Sequence, residues 1–96
     1  MRIKERGFRF SRGEIDIIGY DQDTLVFVEV KARRLGSFSD PEEAVTPAKQ
    51  KQIRRIARAY LFLQGLEDVR CRFDVLALEI GEEGNIIIRH HRDAFD

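Results

Sequence analysis

Apolar and polar residues alternate along most of this chain, and in one stretch the spacing changes to that of a helix. Phe8 and Phe10 share one face of a short strand predicted over residues 7–10. Residues 13–20 and 24–32 are rich in Ile and Val and predict two stronger strands, joined by a hairpin turn at Tyr20-Asp21-Gln22-Asp23. Residues 34–41 read Arg-Leu-Gly-Ser-Phe-Ser-Asp-Pro, which predicts a loop. Ile53, Ile56, Ala57, Tyr60, Leu61 and Leu63 then keep helical spacing. They predict a helix that begins between Pro41 and Pro47 and ends near Gly65, a natural stop. Thr46 suits the N-cap, with Pro47 at the first helical position. A strand over 72–80 and the turn Gly81-Glu82-Glu83-Gly84 lead into a last strand over 85–90. The order β-β-β-α-β-β predicts an α/β fold, a mixed sheet with a packed helix, formed by residues 1–96 as a single domain.

The alternation is broken by charge in two places. Gly13-Glu14-Ile15-Asp16-Ile17-Ile18 and Val26-Phe27-Val28-Glu29-Val30-Lys31 would be ordinary buried strands without their charged members. Strand alternation puts Glu14, Asp16 and Ile18 on one face and Ile15 and Ile17 on the other. Leu25, Phe27, Glu29 and Lys31 likewise share a face, opposite Val26, Val28 and Val30. With the turn centred on Gln22-Asp23, Asp16 is expected opposite Glu29 and Glu14 opposite Lys31. Facing like charges destabilise a sheet unless one is protonated or a cation lies between them. Lys31 supplies one positive charge, and a hard divalent cation such as Mg²⁺ would supply the rest. Two carboxylates and a lysine can serve hydrolysis, since a metal polarises a phosphoryl oxygen and lowers the pKa of water. The lysine can orient that water or stabilise charge developing on phosphate. The plain alternative is an ion-pair network at the end of a sheet.

Composition narrows the setting. Ninety-six residues suit one modest core, and 43% hydrophobic with 35% charged residues is the balance of a soluble globular chain. No apolar run approaches the ~20 residues of a membrane helix. No apolar stretch of the secretory kind follows the first basic residues, and the lone Cys71 forms no internal disulfide, so a reducing cytoplasm is the expected compartment. Seventeen basic and seventeen acidic residues cancel, but they are segregated. Arg2, Lys4, Arg6, Arg9 and Arg12 face only Glu5 in the first segment, and Lys49, Lys51, Arg54, Arg55 and Arg58 include no acid between them. Such segregation can give a neutral protein a basic face for nucleic acid, although the helical run also suits a solvated helix surface.

Asp16 with Glu29-Val30-Lys31 resembles the D…(D/E)xK signature of restriction-endonuclease-like nucleases. Gly13–Gly19, Leu25–Lys31, Pro41–Val45 with Lys49, Arg72–Leu76 and the terminal Asp93–Phe95 resemble the YraN-like family of endonuclease-like proteins, over nearly the whole chain from Gly7. The resemblance implies a restriction-endonuclease-like fold and metal-dependent cleavage of DNA or branched nucleic acid. Asp16 and Glu29 would hold Mg²⁺ or Mn²⁺, and Lys31 would position or activate the water. Glu14 would bind the metal directly or pair with Lys31 or an outer arginine. Lys49 and Gln52 become candidates beside the metal, because related nucleases place such residues on this helix. Arg33, Arg34 and Arg55, together with Lys49 and Gln52, are candidates for nucleic-acid contact, DNA before RNA, the plain alternative for Arg33 and Arg34 being loop decoration. The family usually begins with a helix ending near Gly7-Phe8, whereas Met1–Arg6 is shorter than two helical turns. That departure predicts an apolar gap on one sheet face and favours a homodimer.

Other groups have plainer expectations. Tyr60 belongs in the core, and Asp74 should pair with a helix arginine. His90 and His91 point to opposite faces and cannot easily share a metal. Three rivals to the nuclease reading follow. One is a nucleic-acid-binding module of the same fold without catalysis. Another is metal-independent RNA cleavage through His90 or His91, and the last is a structural dimer.

Overall fold

A computed structural model describes residues 1–35 and 45–96. The predicted loop at 34–41 lies mostly outside the described residues, as does the earlier of the two helix starts, at Pro41. The elements are β1 (Arg2–Phe10), β2 (Gly13–Asp21), β3 (Thr24–Arg34), α1 (Pro47–Leu63), β4 (Cys71–Ile80) and β5 (Ile86–Phe95). They form the expected mixed α/β arrangement, a five-stranded sheet in the order β1-β2-β3-β4-β5. β3 and β4 are parallel and the other neighbours antiparallel. A parallel pair cannot be joined by a tight turn, and α1 lies in the crossover that joins this one.

The β2–β3 turn is where the residue types place it: Asp21 pairs with Thr24 across Gln22-Asp23. Two strands are longer than the alternation suggests. β1 extends back to Arg2 with a register shift between Ile3 and Glu5, so the residues ahead of Gly7 are strand. They are mostly exposed and charged, and an exposed edge carries no apolar period to read. β5 extends to Phe95 past an irregularity opposite Phe73/Val75. Its end is buried, and Phe95 stacks on Phe73 at 5.1 Å.

The helix begins and ends as predicted. Thr46 Oγ1 accepts from the Lys49 N–H at 3.2 Å, and Pro47 occupies the first turn. Gly65, at φ +65, takes the left-handed conformation that closes the C-terminus. Ile53, Ile56, Ala57 and Tyr60 bury one stripe of α1 against Ile15, Ile18, Leu25, Phe27, Val75 and Phe95. Tyr60, a core residue as expected, meets Phe8 and Phe27 edge-on at 5.1 and 6.1 Å, and Phe27 continues the aromatic row to Phe73. Gly13 permits the close approach: a Cβ there would run into Ile56 Cδ1 and meet Gln52 Nε2 at 3.2 Å.

Asp74 departs from its expected partner. Alternation turns it away from α1, whose side Val75 faces, so a helix arginine cannot reach it. Fully buried, it accepts from Arg72 at 3.0 and 3.2 Å and from the Asp93 N–H at 3.0 Å, and its Oδ2 lies 2.7 Å from His90 Nε2. Burial alone would raise its pKa, but Arg72, the Asp93 N–H and His90 together hold it below the usual aspartate value. A lowered folded-state pKa stabilises the protein above the unfolded value, and that contribution is lost as pH falls through the folded one. Replacing Asp74 by Ala is expected to destabilise by about 2–4 kcal/mol at pH 7, because Arg72 and the Asp93 N–H lose a buried acceptor. Urea denaturation measures this, and the deficit should shrink towards pH 3.

Candidate functional site

The backbone ladder between β2 and β3 runs from Asp21–Thr24 to Ile17–Val28 and stops there. The next step is taken by a side chain: Asp16 Oδ2 accepts from the Val30 N–H at 2.8 Å. The aspartate thereby replaces a strand carbonyl, and β2 is free to diverge. Burial along β2 changes phase at this point. Gly13 and Ile15 are buried, then Ile18 and Gly19, with half-buried Asp16 and Ile17 between. Ile15 and Ile18 both join the core under α1, so the simple alternation predicted for this strand slips by one. Glu14 is therefore not opposite Lys31 as expected. The ladder ends before reaching it, and Glu14 Oε2 lies 3.8 Å from Arg9 Nε, the outer-arginine arrangement.

Asp16 and Glu29 do come together. Burial first, then the hydrogen bond to Asp16 and its negative charge, push the Glu29 carboxyl up to about 7, against the opposing charges of Lys49 and Lys31. The Glu29 side chain is only 7% exposed, so water cannot relieve the repulsion. Lys49, in the first turn of α1, places Nζ 3.6 Å from Glu29 Oε2. Half-buried Lys31 stands two residues beyond Glu29, on the same face of β3. Two acids sharing space and two ammonium groups therefore occupy the end of the β2–β3 ladder.

The donor set suits a small hard cation. Among the described residues no three His, Cys, Asp or Glu side chains form a metal-holding group. Mg²⁺ commonly uses one or two carboxylates and completes its shell with water and substrate phosphate. A carboxyl pair that keeps a proton near neutral pH is also a pair that a cation would relieve.

The remaining candidates divide. Lys49, Gln52 and Glu14 line one cavity of about 410 Å³ with Arg9, Ser11, Arg12 and Gly13. Arg55 lies further along α1, in a groove shared with Lys49, Lys51, Gln52 and Arg58. Arg34 is exposed at the end of β3, beside Leu35, Ile80 and Glu82. Arg33 is placed differently from its expected contact with nucleic acid. Its side chain is 5% exposed and its Nη2 is 2.9 Å from Glu79 Oε1, a buried bond between β3 and β4. It follows Lys31 on the same face by strand period, and the acid beside it on β4 claims it. Arg9, Ser11 and Arg12 at the β1–β2 turn were not singled out as site residues by sequence reasoning. The basic bias of residues 2–12 was the available signal, but not the fold that brings this turn against α1. His90 is committed to Asp74 on the face away from the helix. No helix among the described residues is long and apolar enough to cross a membrane.

Comparison with known proteins gives a family match. A model described as "Uncharacterised protein family UPF0102" matches residues 1–78. A UPF0102 protein of Geobacter sulfurreducens is 47% identical over 95 residues, covering 99% of this chain and 74% of its own length. One from Symbiobacterium thermophilum is 48% identical over 94 residues, covering 98% of this chain and 80% of that protein. One from Rhodococcus jostii is 46% identical over 95 residues, with 99% and 80% covered.

Glu29 gives this geometry a signature in stability. Its folded-state pKa lies above its ordinary 4.5, so protonation favours the fold. Stability is expected to fall as pH rises through about 7, by on the order of 1–3 kcal/mol relative to an ordinary glutamate. Glu29→Gln should raise Tm at pH 8 by several degrees and flatten the profile between pH 5 and 8. Thermal unfolding across that range checks it, and a lower Tm for the variant at pH 8 would show that Glu29 is a satisfied structural acid.

Proposed function

We propose that this chain, which belongs to the uncharacterised protein family UPF0102, is a metal-dependent nuclease that hydrolyses phosphodiester bonds in DNA or branched nucleic acid. The observation that carries the reading is the pairing of half-buried Asp16 with buried Glu29, forced together where the ladder ends and bordered by two lysines. A neutral core has no use for such a pair, and a hydrolytic site does. Asp16 and Glu29 would hold Mg²⁺ or Mn²⁺. When bound, the cation supplies polarisation of a phosphoryl oxygen and a lowered pKa for water.

The chain's own residues do the rest. The Val30 N–H fixes the Asp16 carboxylate. Lys31 orients the attacking water or neutralises charge on the phosphate. Lys49 balances Glu29 while the pair is ionised and is near enough to meet a phosphate oxygen. Phosphates on either side of the scissile bond are received by Arg9, Arg12, Arg55 and Arg58, along the two adjoining hollows. The same basic hollows favour the second reading, nucleic-acid binding without cleavage, because neither is lined by Asp16 or Glu29.

Cleavage of duplex, single-stranded, flap and four-way DNA, with RNA in parallel, tests the proposal in Mg²⁺, Mn²⁺ and EDTA. Asp16→Asn is expected to reduce metal-dependent cleavage by at least a hundredfold while leaving salt-sensitive binding intact. Salt-sensitive binding with no cleavage of any substrate would select the second reading. Metal binding has its own readout. Mn²⁺ should raise the Tm of the native chain at pH 8, raise it less at pH 6 where Glu29 keeps its proton, and leave Asp16→Asn unmoved.

A further inference from the structure

β5 is the last strand of the sheet, and among the described residues nothing pairs with its outer side. Edge strands are usually protected by charge, proline or distortion. This one opens with Ile86-Ile87-Ile88, exposed by 58%, 37% and 65%. On β4 beside them, Ile80 is 40% exposed. Three consecutive exposed isoleucines on an unpaired edge form a surface made for another strand.

The free hydrogen-bonding groups can be assigned. The Gly81 N–H donates to the Asn85 carbonyl at 2.8 Å, which sets the alternation along β5. Asn85, Ile87 and Arg89 direct their backbone polar groups towards β4, and Ile86 and Ile88 direct theirs outwards. An antiparallel two-fold centred on Ile87 would place Ile86 opposite Ile88 of a second copy, twice, as hydrogen-bonded pairs. The two Ile87 residues would meet as a non-bonded pair.

Charge favours this register over one centred on the basic stretch of β5. The register about Ile87 brings Glu82 and Glu83, exposed in the turn before β5, towards exposed Arg92 of the second copy. A two-fold centred on His90 would instead set Arg89-His90-His91-Arg92 against itself. Arg92 is available for the favourable contact: its side chain is 69% exposed, and its pairing with Asp21 is long, at 3.9 Å.

We infer that β5 pairs with β5 of a second copy of this chain, in antiparallel register about Ile87, to make a continuous ten-stranded sheet. The two-fold axis stands perpendicular to that sheet. Ile86 and Ile88 from both copies therefore cluster on one face, and both α1 helices lie on the other. The two Asp16–Glu29 pairs open on the same side of the assembly. The dimer does not rest on the nuclease reading, because β5 contributes nothing to that site.

Sedimentation equilibrium of the native chain should show a dimer at tens of micromolar, and a monomer there would overturn the inference. In a Cys71→Ser background, Ile87→Cys should form an intermolecular disulfide on mild oxidation, because facing non-bonded pairs lie within disulfide reach. Ile88→Cys should not, since its two copies are offset along the strands, and equal cross-linking of both variants would overturn the register. Glu82→Lys with Glu83→Lys should weaken the dimer by about tenfold, and adding Arg92→Glu should restore it. Failure of the charge reversal to weaken association would remove the register about Ile87.

Discussion

A single hydrogen bond organises the candidate site: the Val30 N–H is taken by the Asp16 carboxylate and not by a strand carbonyl. A carboxylate accepting from a backbone N–H makes a strong bond, and here it stands in for a rung of the ladder. Three consequences follow. β2 is released from β3 one residue after the Ile17–Val28 pair. The released segment changes its buried phase and lays Gly13 and Ile15 under α1. The Asp16 carboxylate, fixed against β3, stands beside Glu29, whose proton then becomes hard to remove. The site is thus a by-product of how two strands part company, and backbone geometry dictates its electrostatics.

Two buried acids show how the groups around a carboxylate decide its charge state. Asp74 receives Arg72, His90 and a backbone N–H, and its pKa is lowered although burial opposes this. Glu29 is almost as buried, but burial is reinforced there by a neighbouring acid, Asp16, and its pKa rises. Both sit in central strands of one sheet, so burial does not distinguish them. The donors around them do. A protein that can satisfy Asp74 so fully on one face could have satisfied Glu29 on the other. That it places Asp16 there instead is the physical case for an added cation.

The chain made some of this legible and concealed the rest. The turn at Gln22-Asp23 follows from residue types, and it fixes the register that brings Asp16 towards Glu29. Thr46-Pro47 and Gly65 mark the helix because capping chemistry is local. The slip in β2 was not legible. It depends on where the ladder ends, and no residue between Ile15 and Ile18 advertises a change of face. Arg33 shows the same limit. Adjacent to Arg34 and following Lys31, it looks like a phosphate contact until β4 supplies Glu79 beside it. Arg2–Arg6 is strand through pairing with β2 and not through any period of its own. Interactions local in sequence could be read, and those decided by a neighbouring strand could not.

Topology explains why Lys49, among the helix cations, is the one that meets Glu29. A crossover between parallel strands must leave the carboxyl end of the first and start its helix near that end. Glu29 and Lys31 lie in the carboxyl half of β3, so the first turn of α1 is the part that can reach them. Arg55 and Arg58, two and three turns on, are carried away along the helix. A lysine in a first turn is otherwise poorly placed, because the helix dipole disfavours positive charge there, and this first turn contains no acid to offset it. Glu29 provides the offset across space, at 3.6 Å. Each charge is in a poor position by itself, the glutamate for want of water and the lysine for want of a favourable dipole, and each makes the other tolerable.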